Sequence, residues 1–279
     1  MDKNIFQRKH ELFLTMLFGA FSIKDEKLFD IFYDFAMIEY RHLNWLGERL
    51  ILNSVEIDFD YEKDNIKFVA SNNFELFLNI KSMIEEIFFL YKKQDPMFER
   101  FFSDEKFFIK KIDFLLENKK NNQPIFAFDR RKQLDDFELD QESLSALIQF
   151  LFEETYKEYE LVMVYTYSNF FTDSKVLSNI FIDLIYESMF HLKSFARMLS
   201  KMGLLYLPRQ IMQDVYKFND LKQFLLDGIE EEKMAKEECI KLAQAVKNEE
   251  LSSFFDFINS QENYHIELMQ KAVKELNKG

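Results

Sequence analysis

Three of the four histidines in this chain lie one helical turn from a glutamate. The pairs are Glu39 with His42, Glu187 with His191, and Glu262 with His265. Residues three or four apart are neighbours on one face of an α-helix, so each pair can offer a carboxylate and an imidazole to the same metal ion. Carboxylate oxygen and imidazole nitrogen together suit iron and manganese. The scarce histidines therefore predict metal ligation as the chemistry of this chain.

The composition indicates long helices. The chain has 279 residues and 48% hydrophobic content, which is enough for one large or two ordinary domains with real cores. It contains only 5 glycines and 3 prolines, so few positions would interrupt a helix. We therefore expect an all-α protein.

The charge and the cysteine content exclude several classes of partner. Lys and Arg number 36 against 49 Asp and Glu, which gives a net charge of -13 and argues against nucleic acid and anionic membranes. No apolar run reaches the roughly 20 residues of a membrane span. Cys239 is the single cysteine, so no internal disulfide can form and a reducing compartment is expected. The sequence predicts a cytoplasmic chain.

The hydrophobic periodicity predicts eight helices joined mostly by short turns. The predicted helices are 4–22, 26–52, 73–93, 97–119, 140–172, 174–202, 219–246 and 249–277. Short turns make four antiparallel hairpins, while longer connections cross over within each half at 54–71 and 203–219. In the first connection apolar residues alternate with acids from Val55 to Tyr61, which predicts a small β-hairpin near 55–69.

The two halves resemble each other in sequence. The segment SDEKFFIKKIDFLLENKK from Ser103 matches SQENYHIELMQKAVKELNK from Ser260, and ELFLTMLFGAF from Glu11 matches ELVMVYTYSNF from Glu160. The second register, continued along the chain, places His42 on His191. An internal repeat is therefore expected, with domains at 1–121 and 140–279 and a linker at 122–139.

With these motifs, each half resembles the ferritin-like superfamily, whose four-helix bundles hold two iron or manganese ions. In that family two helices each give a glutamate and two each give a Glu-x-x-His pair. For the second half the resemblance implies a complete set of ligands. These are Glu158, Glu187, His191, Glu231, Glu262 and His265. The Glu187 to His191 spacing is one residue longer than the family pattern. Two ligand positions have alternatives: Glu154 in place of Glu158, and Glu230 or Glu232 in place of Glu231.

The buried charge supports a metal in the second half. An ionised carboxylate inside a bundle costs several kcal/mol unless a positive charge compensates it. The apolar stripes that carry the predicted glutamates of this half contain no Lys or Arg near those positions. A metal cluster is therefore the simplest compensation that the sequence offers.

The first half keeps only part of this set. In the repeat register Lys9 stands for Glu158, Ile38 for Glu187 and Phe108 for His265. A reduced and weaker second site could still form from the remaining residues. These are Glu39, His42, Glu85 and Glu105. The alternative is a hydrogen-bonded core histidine in a half that serves as a packing partner.

The resemblance implies two iron or manganese ions and an oxidoreductase that acts with oxygen or peroxide, with a small apolar substrate as a further candidate. A homodimer is compatible with this interpretation. Two alternatives remain, a helical structural or partner-binding protein with a decayed metal site, and an iron-sequestering protein. No phosphate loop, nucleotide fingerprint or cysteine pair points elsewhere.

Overall fold

A computed structural model describes residues 2–125, 139–217, 220–245 and 249–278. In these ranges the chain is helical and forms no β-strand, which confirms the predicted all-α class. The chain divides into two compact units. Unit 1 comprises the described residues of 1–129 together with 203–210, and unit 2 comprises those of 130–202 and 211–279. Most of the predicted linker at 122–139 lies outside the described residues.

Unit 1 is built on four long helices. They are α1 Asp2–Ser22, α2 Glu26–Leu52, α3 Asn73–Phe88 and α4 Pro96–Glu117. α1 packs along α2 and against α3, and α3 packs along α4. Side chains of Asp25, Asn72 and Asp95 accept the first free backbone N–H groups of α2, α3 and α4, which fixes where these helices begin. α3 ends earlier than predicted, and this brings the Tyr91 hydroxyl to Glu105.

Unit 2 contains four long helices and one short one. They are α5 Gln141–Phe170, α6 Lys175–Lys201, α7 Gln213–Tyr216, α8 Leu221–Ala245 and α9 Glu249–Leu276. α5 packs along α6, α8 packs along α9, and α6 also contacts α9. Asp140 and Ser174 cap the starts of α5 and α6. After α6 the chain turns at Gly203, whose φ of 75° is readily adopted by glycine.

The predicted β-hairpin near 55–69 is wrong. Residues 55–62 and 66–70 belong to no helix or strand and do not pair with each other, and a single 3-10 turn lies between them at Lys63–Asn65. The alternation reflects one buried face, because Ile57 and Phe59 lie in the core and Phe59 packs against Phe6 of α1 at 5.9 Å between ring centroids. An extended segment that packs on a helix shows the same alternation as a strand.

The polar groups of this crossover are bound by side chains of α1. The buried carboxylate of Glu11 accepts hydrogen bonds from the backbone N–H of Glu62 at 3.3 Å and from Nδ2 of Asn65 at 2.9 Å. Thr15 Oγ1 accepts from the backbone N–H of Lys67 at 3.2 Å. These bonds replace the ladder that a hairpin would have supplied.

Aromatic packing fills the rest of unit 1. Phe32 of α2 stacks on Phe77 of α3 at 4.6 Å, and Phe35 of α2 stacks on Phe108 of α4 at 4.1 Å. Phe108 is the residue that stands for His265 in the predicted repeat, and it is fully buried. It therefore serves packing in unit 1.

Within the described residues, no helix of either unit combines the length and the apolar character that a membrane span requires.

Truncation of Glu11 should loosen the crossover of unit 1. We expect Glu11→Ala to lower the free energy of unfolding by about 1–3 kcal/mol, because it leaves partners of a buried carboxylate unsatisfied. Glu62→Ala is the control, since the Glu62 side chain is exposed and its backbone bond survives; a change within about 0.5 kcal/mol is expected. Urea unfolding measures both, and equal stability of the two variants would contradict the role of Glu11.

Candidate metal centre

In unit 2, helix α9 supplies a carboxylate and an imidazole from one buried face. Glu262 and His265 are one turn apart, and they expose 3% and 0% of their surface. The two oxygens of Glu262 face different histidines. Oε1 lies 3.4 Å from Nδ1 of His191 on α6, and Oε2 lies 3.5 Å from Nδ1 of His265. Glu262 thus stands between two imidazoles whose ring centroids are 5.3 Å apart.

Each of these histidines has a second carboxylate near the same ring nitrogen, Nδ1. Glu158 of α5 places Oε1 2.8 Å from Nδ1 of His191, and Glu232 of α8 places Oε1 3.6 Å from Nδ1 of His265. The cluster therefore consists of two similar halves that share Glu262. Its five members come from all four long helices of unit 2.

A hydrogen-bond chain orients His191 from outside the cluster. Nε2 of His191 lies 3.2 Å from Oε1 of Gln261, and Nε2 of Gln261 donates to Glu187 at 3.4 Å. Nδ1 of His191 is left to face the carboxylates. Outer hydrogen bonds of this kind fix the ring of a metal-binding histidine. The sequence interpretation missed Gln261, for which the only signal is its position directly before Glu262.

Two predicted ligands lie outside the cluster. Glu187 is half-buried and contacts Gln261, because its spacing from His191 turns it off the buried face. The buried residue one turn before His191 is Ser188. Glu231 is exposed and the next residue, Glu232, turns inward. The buried face of α8 passes through Leu225 and Cys239 and not through Phe224 and Gly228. A prediction based on that face would have indicated Glu232.

Glu154 and Glu158, between which the sequence left the choice open, lie in different surroundings. Glu154 forms an ion pair with Lys157 of the same helix at 3.0 Å, and the Lys157 side chain is 45% exposed. Glu158 faces His191 and exposes 3% of its surface. Only Glu158 therefore belongs to the buried cluster.

Burial and neighbouring charges shift the pKa values of three members of the cluster. Burial lowers the pKa of His191, but the adjacent Glu158 outweighs this effect and the pKa rises to about 9. Burial and the nearby Glu232 raise the pKa of Glu262 to about 8. Burial also opposes ionisation of Glu232, yet His265 holds its pKa at about 2. At neutral pH the metal-free cluster retains protons that a metal would replace.

Several polar atoms of this cluster point at no hydrogen-bond partner. Within the described residues these atoms are Glu158 Oε2, Glu262 Oε2, and both ring nitrogens of His265. Nor does any lysine or arginine in the described part of unit 2 form an ion pair with these two glutamates or with Glu232. Buried oxygen and nitrogen donors that converge without partners are what a metal ion requires. The residues fit a metal centre.

Unit 1 contains a corresponding cluster with a lysine at its centre. Nζ of Lys9 on α1 lies 2.7 Å from Glu39 Oε2 and 3.2 Å from His42 Nδ1, and it donates a short hydrogen bond to Glu105 Oε1. Lys9 is fully buried, and its ammonium also lies 4.8 Å from the ring centroid of Phe101. Glu39, His42 and Glu105 are close enough to hold a metal, but the ammonium occupies the space among them.

The predicted set for unit 1 is only partly brought together. Glu39, His42 and Glu105 meet, whereas Glu85 is exposed on α3. In its place the hydroxyl of Tyr91 donates to the two oxygens of Glu105 at 2.8 and 2.7 Å. Sequence reasoning placed Lys9 at a lost ligand position but did not identify it as the cation of the cluster.

The charge of unit 1 balances without a metal. Burial disfavours the charged form of Lys9, but Glu105 and Glu39 outweigh it and raise its pKa. Burial likewise opposes ionisation of Glu39, and Lys9 still holds that pKa near 2. Burial raises the pKa of Glu105 to about 8 despite Lys9. One ammonium and one carboxylate thus offset each other in this cluster.

A higher pH should destabilise metal-free unit 2. His191 has a pKa of about 9 in the folded chain against 6.5 as the reference value. Its proton therefore contributes stability that is fully present below pH 6.5 and is lost as the pH rises through 9. The raised pKa of Glu262 acts in the same direction. We expect His191 alone to contribute a loss of roughly 3 kcal/mol between these limits.

Urea unfolding of chelator-treated protein at both ends of this pH range tests the prediction. Glu158→Gln removes the carboxylate that raises the pKa of His191, so this variant should depend less on pH. A stability that is constant with pH in the unmodified chain would contradict the prediction. So would an unchanged pH dependence in Glu158→Gln.

Removal of the Lys9 ammonium should strongly destabilise unit 1. Lys9→Met keeps much of the volume but leaves Glu39 and Glu105 without their cation, and breaking a buried ion pair in this way costs about 3–5 kcal/mol. Lys27→Met is the matched control, because Lys27 is exposed on α2. Chemical denaturation at pH 7 compares the two. Equal stability of the Lys9→Met and Lys27→Met variants would rule out a structural role for the Lys9 ammonium.

No protein-family model matches this chain, no curated protein matches it, and no solved structure matches it. The function of the cluster in unit 2 is therefore inferred from its own residues, distances and charges.

Proposed function

We propose that unit 2 binds two iron or manganese ions and serves as the redox centre of an oxidoreductase that acts with oxygen or peroxide. The observation that supports this most directly is Glu262. Its two oxygens face two different imidazoles at 3.4 and 3.5 Å, so one carboxylate can serve two ions at once. In this proposal unit 2 is a ferritin-like bundle and unit 1 is its repeated partner.

The arrangement supplies each ion with a similar set of donors. Glu158, His191 and Glu262 would hold the first ion, and Glu232, His265 and Glu262 would hold the second. Carboxylate oxygens with one imidazole nitrogen form a donor set that iron and manganese accept. Soft ligands are lacking, because the single cysteine is not a member of the cluster.

Three carboxylates for two ions leave coordination positions free. Ser188 is buried one turn before His191, where the family pattern has its fourth glutamate. Two bound ions of this kind would supply one-electron redox chemistry and Lewis acidity towards oxygen or peroxide. Free positions are what such a reaction needs, whereas a purely structural site is closed by protein ligands.

The chain itself contributes orientation and proton control. Gln261 accepts from Nε2 of His191 and so directs Nδ1 of this ring towards Glu158 and Glu262. In the metal-free chain Glu262 has a pKa of about 8, so metal binding near neutral pH would displace its proton. The members of the cluster are almost fully buried, which excludes bulk water and strengthens these interactions.

Metal analysis of the purified protein tests the proposal. We expect about two iron or manganese ions per chain after anaerobic loading, with release of protons because the imidazoles must lose theirs. Glu262→Gln should reduce the content below one ion, since it removes the shared carboxylate. Glu267→Gln on the exposed side of α9 is the matched control and should bind as the unmodified chain does.

The stability of the metal-free variant separates loss of ligation from loss of the fold. Glu262→Gln removes a carboxyl group that is costly to ionise, so the chelator-treated variant should unfold no more easily than the chelator-treated unmodified chain. Absence of bound metal from the unmodified chain would reject the proposal and favour a structural or partner-binding protein. Iron far above two atoms per chain in a large oligomer would favour iron sequestration.

A further inference from the structure

A cleft between α5 and α8 leads to the cluster of unit 2. These helices contact each other far less than α5 contacts α6 or α8 contacts α9, and the space between them has a volume of about 240 Å³. A cavity of this size accommodates several water molecules. Its apolar walls include Phe224 and Met269.

The inner end of the cleft consists of two members of the cluster. Glu158 and Glu232 line the cleft although they expose only 3% and 8% of their surface. Within the described residues, Oε2 of Glu158 has no hydrogen-bond partner. The cleft is therefore lined by one glutamate from each half of the cluster.

The outer part of the cleft is strongly acidic. Glu160 is half-buried, and Asp227 and Glu231 are exposed. Lys157 is the one basic residue in the lining, and it is paired with Glu154 at 3.0 Å. Six carboxylates thus line the cleft against one ammonium. A cleft with one sign of charge concentrates ions of the opposite sign and speeds their arrival.

We propose that this cleft is the route by which a hydrated divalent cation reaches the cluster, and that Glu160, Asp227 and Glu231 attract it. This inference depends on the proposed function, because it needs metal at the inner end. The placement of the acidic groups supports it, since they line the cleft from exposed Asp227 to buried Glu158. The same charge would disfavour anionic substrates.

The rate of metal uptake tests the proposal. Co²⁺ serves as the probe, because its visible absorption changes when nitrogen and oxygen ligands replace water. The mouth variant Glu160→Gln, Asp227→Asn, Glu231→Gln removes three charges that lie outside the cluster. We expect its association rate in stopped flow to fall roughly tenfold at low salt, with a weaker salt dependence and an unchanged number of ions bound.

The control variant removes the same charge from surfaces outside the cleft. Glu230→Gln, Glu238→Gln and Glu267→Gln change exposed residues, each of which pairs with a lysine on its own helix. This triple variant should take up Co²⁺ within about twofold of the unmodified rate. A slower rate in the mouth variant than in the control then reflects the position of the charges and not the net charge.

A second pair of variants tests the path and leaves the charges in place. Gly228 lines the cleft, and a Cβ at this position would lie 3.3 Å from the end of the flexible Met269 side chain. Gly228→Leu should fill the cleft and slow uptake severalfold, whereas Gly228→Ala should not. Equal rates in the mouth variant and its control, together with unimpeded uptake in Gly228→Leu, would overturn this route while the metal site stands. An unmodified chain that binds no Co²⁺, iron or manganese would overturn the proposed function and the route with it.

Discussion

A carboxylate that leaves water for the interior of a helical protein must meet positive charge, and both units of this chain are arranged around that requirement. In unit 1 a lysine side chain of the protein carries the positive charge. The Lys9 ammonium contacts Glu39 and Glu105 directly and needs nothing from solution. In unit 2 the corresponding space is lined by Glu158, so the charge must come from protons on the imidazoles or from a bound cation. The protonated cluster loses its positive charge as the pH rises, whereas a bound metal ion would retain its charge.

The two clusters differ by a small number of exchanged positions. In the predicted repeat register Lys9 corresponds to Glu158, and Glu39 corresponds to Ser188. Unit 1 thus has a glutamate one turn before its histidine and a lysine on its first helix. Unit 2 has Ser188 and Glu158 at the same two positions. The Lys9 ammonium fills the centre of the cluster in unit 1. In unit 2 the small side chain of Ser188 leaves room in the cluster.

The outer contacts of the histidines follow one scheme with different charges. His42 places Nε2 3.1 Å from Asp104, and His191 places Nε2 3.2 Å from Gln261. Both partners directly precede the buried glutamate on the last helix of their unit. The carboxylate of Asp104 can neutralise an imidazolium from outside, but the amide of Gln261 cannot. In unit 2 the charge on His191 is therefore met only by the inner carboxylates, which a metal would use.

The sequence by itself determined the helical class, most helix positions and the pairing of scarce histidines with glutamates, because composition and periodicity are local properties. It did not decide which of two adjacent acids enters the core. A shift of one residue turns a helical side chain by about 100°, so Glu231 or Glu232 and Glu187 or Ser188 were separated only by packing. The alternation at 55–61 likewise revealed a buried face but not its partner, which is α1 and not a second strand. Lys9 became the cation of unit 1 only through contacts with residues 30 and 96 positions away in the chain, and such contacts exist only in the tertiary structure.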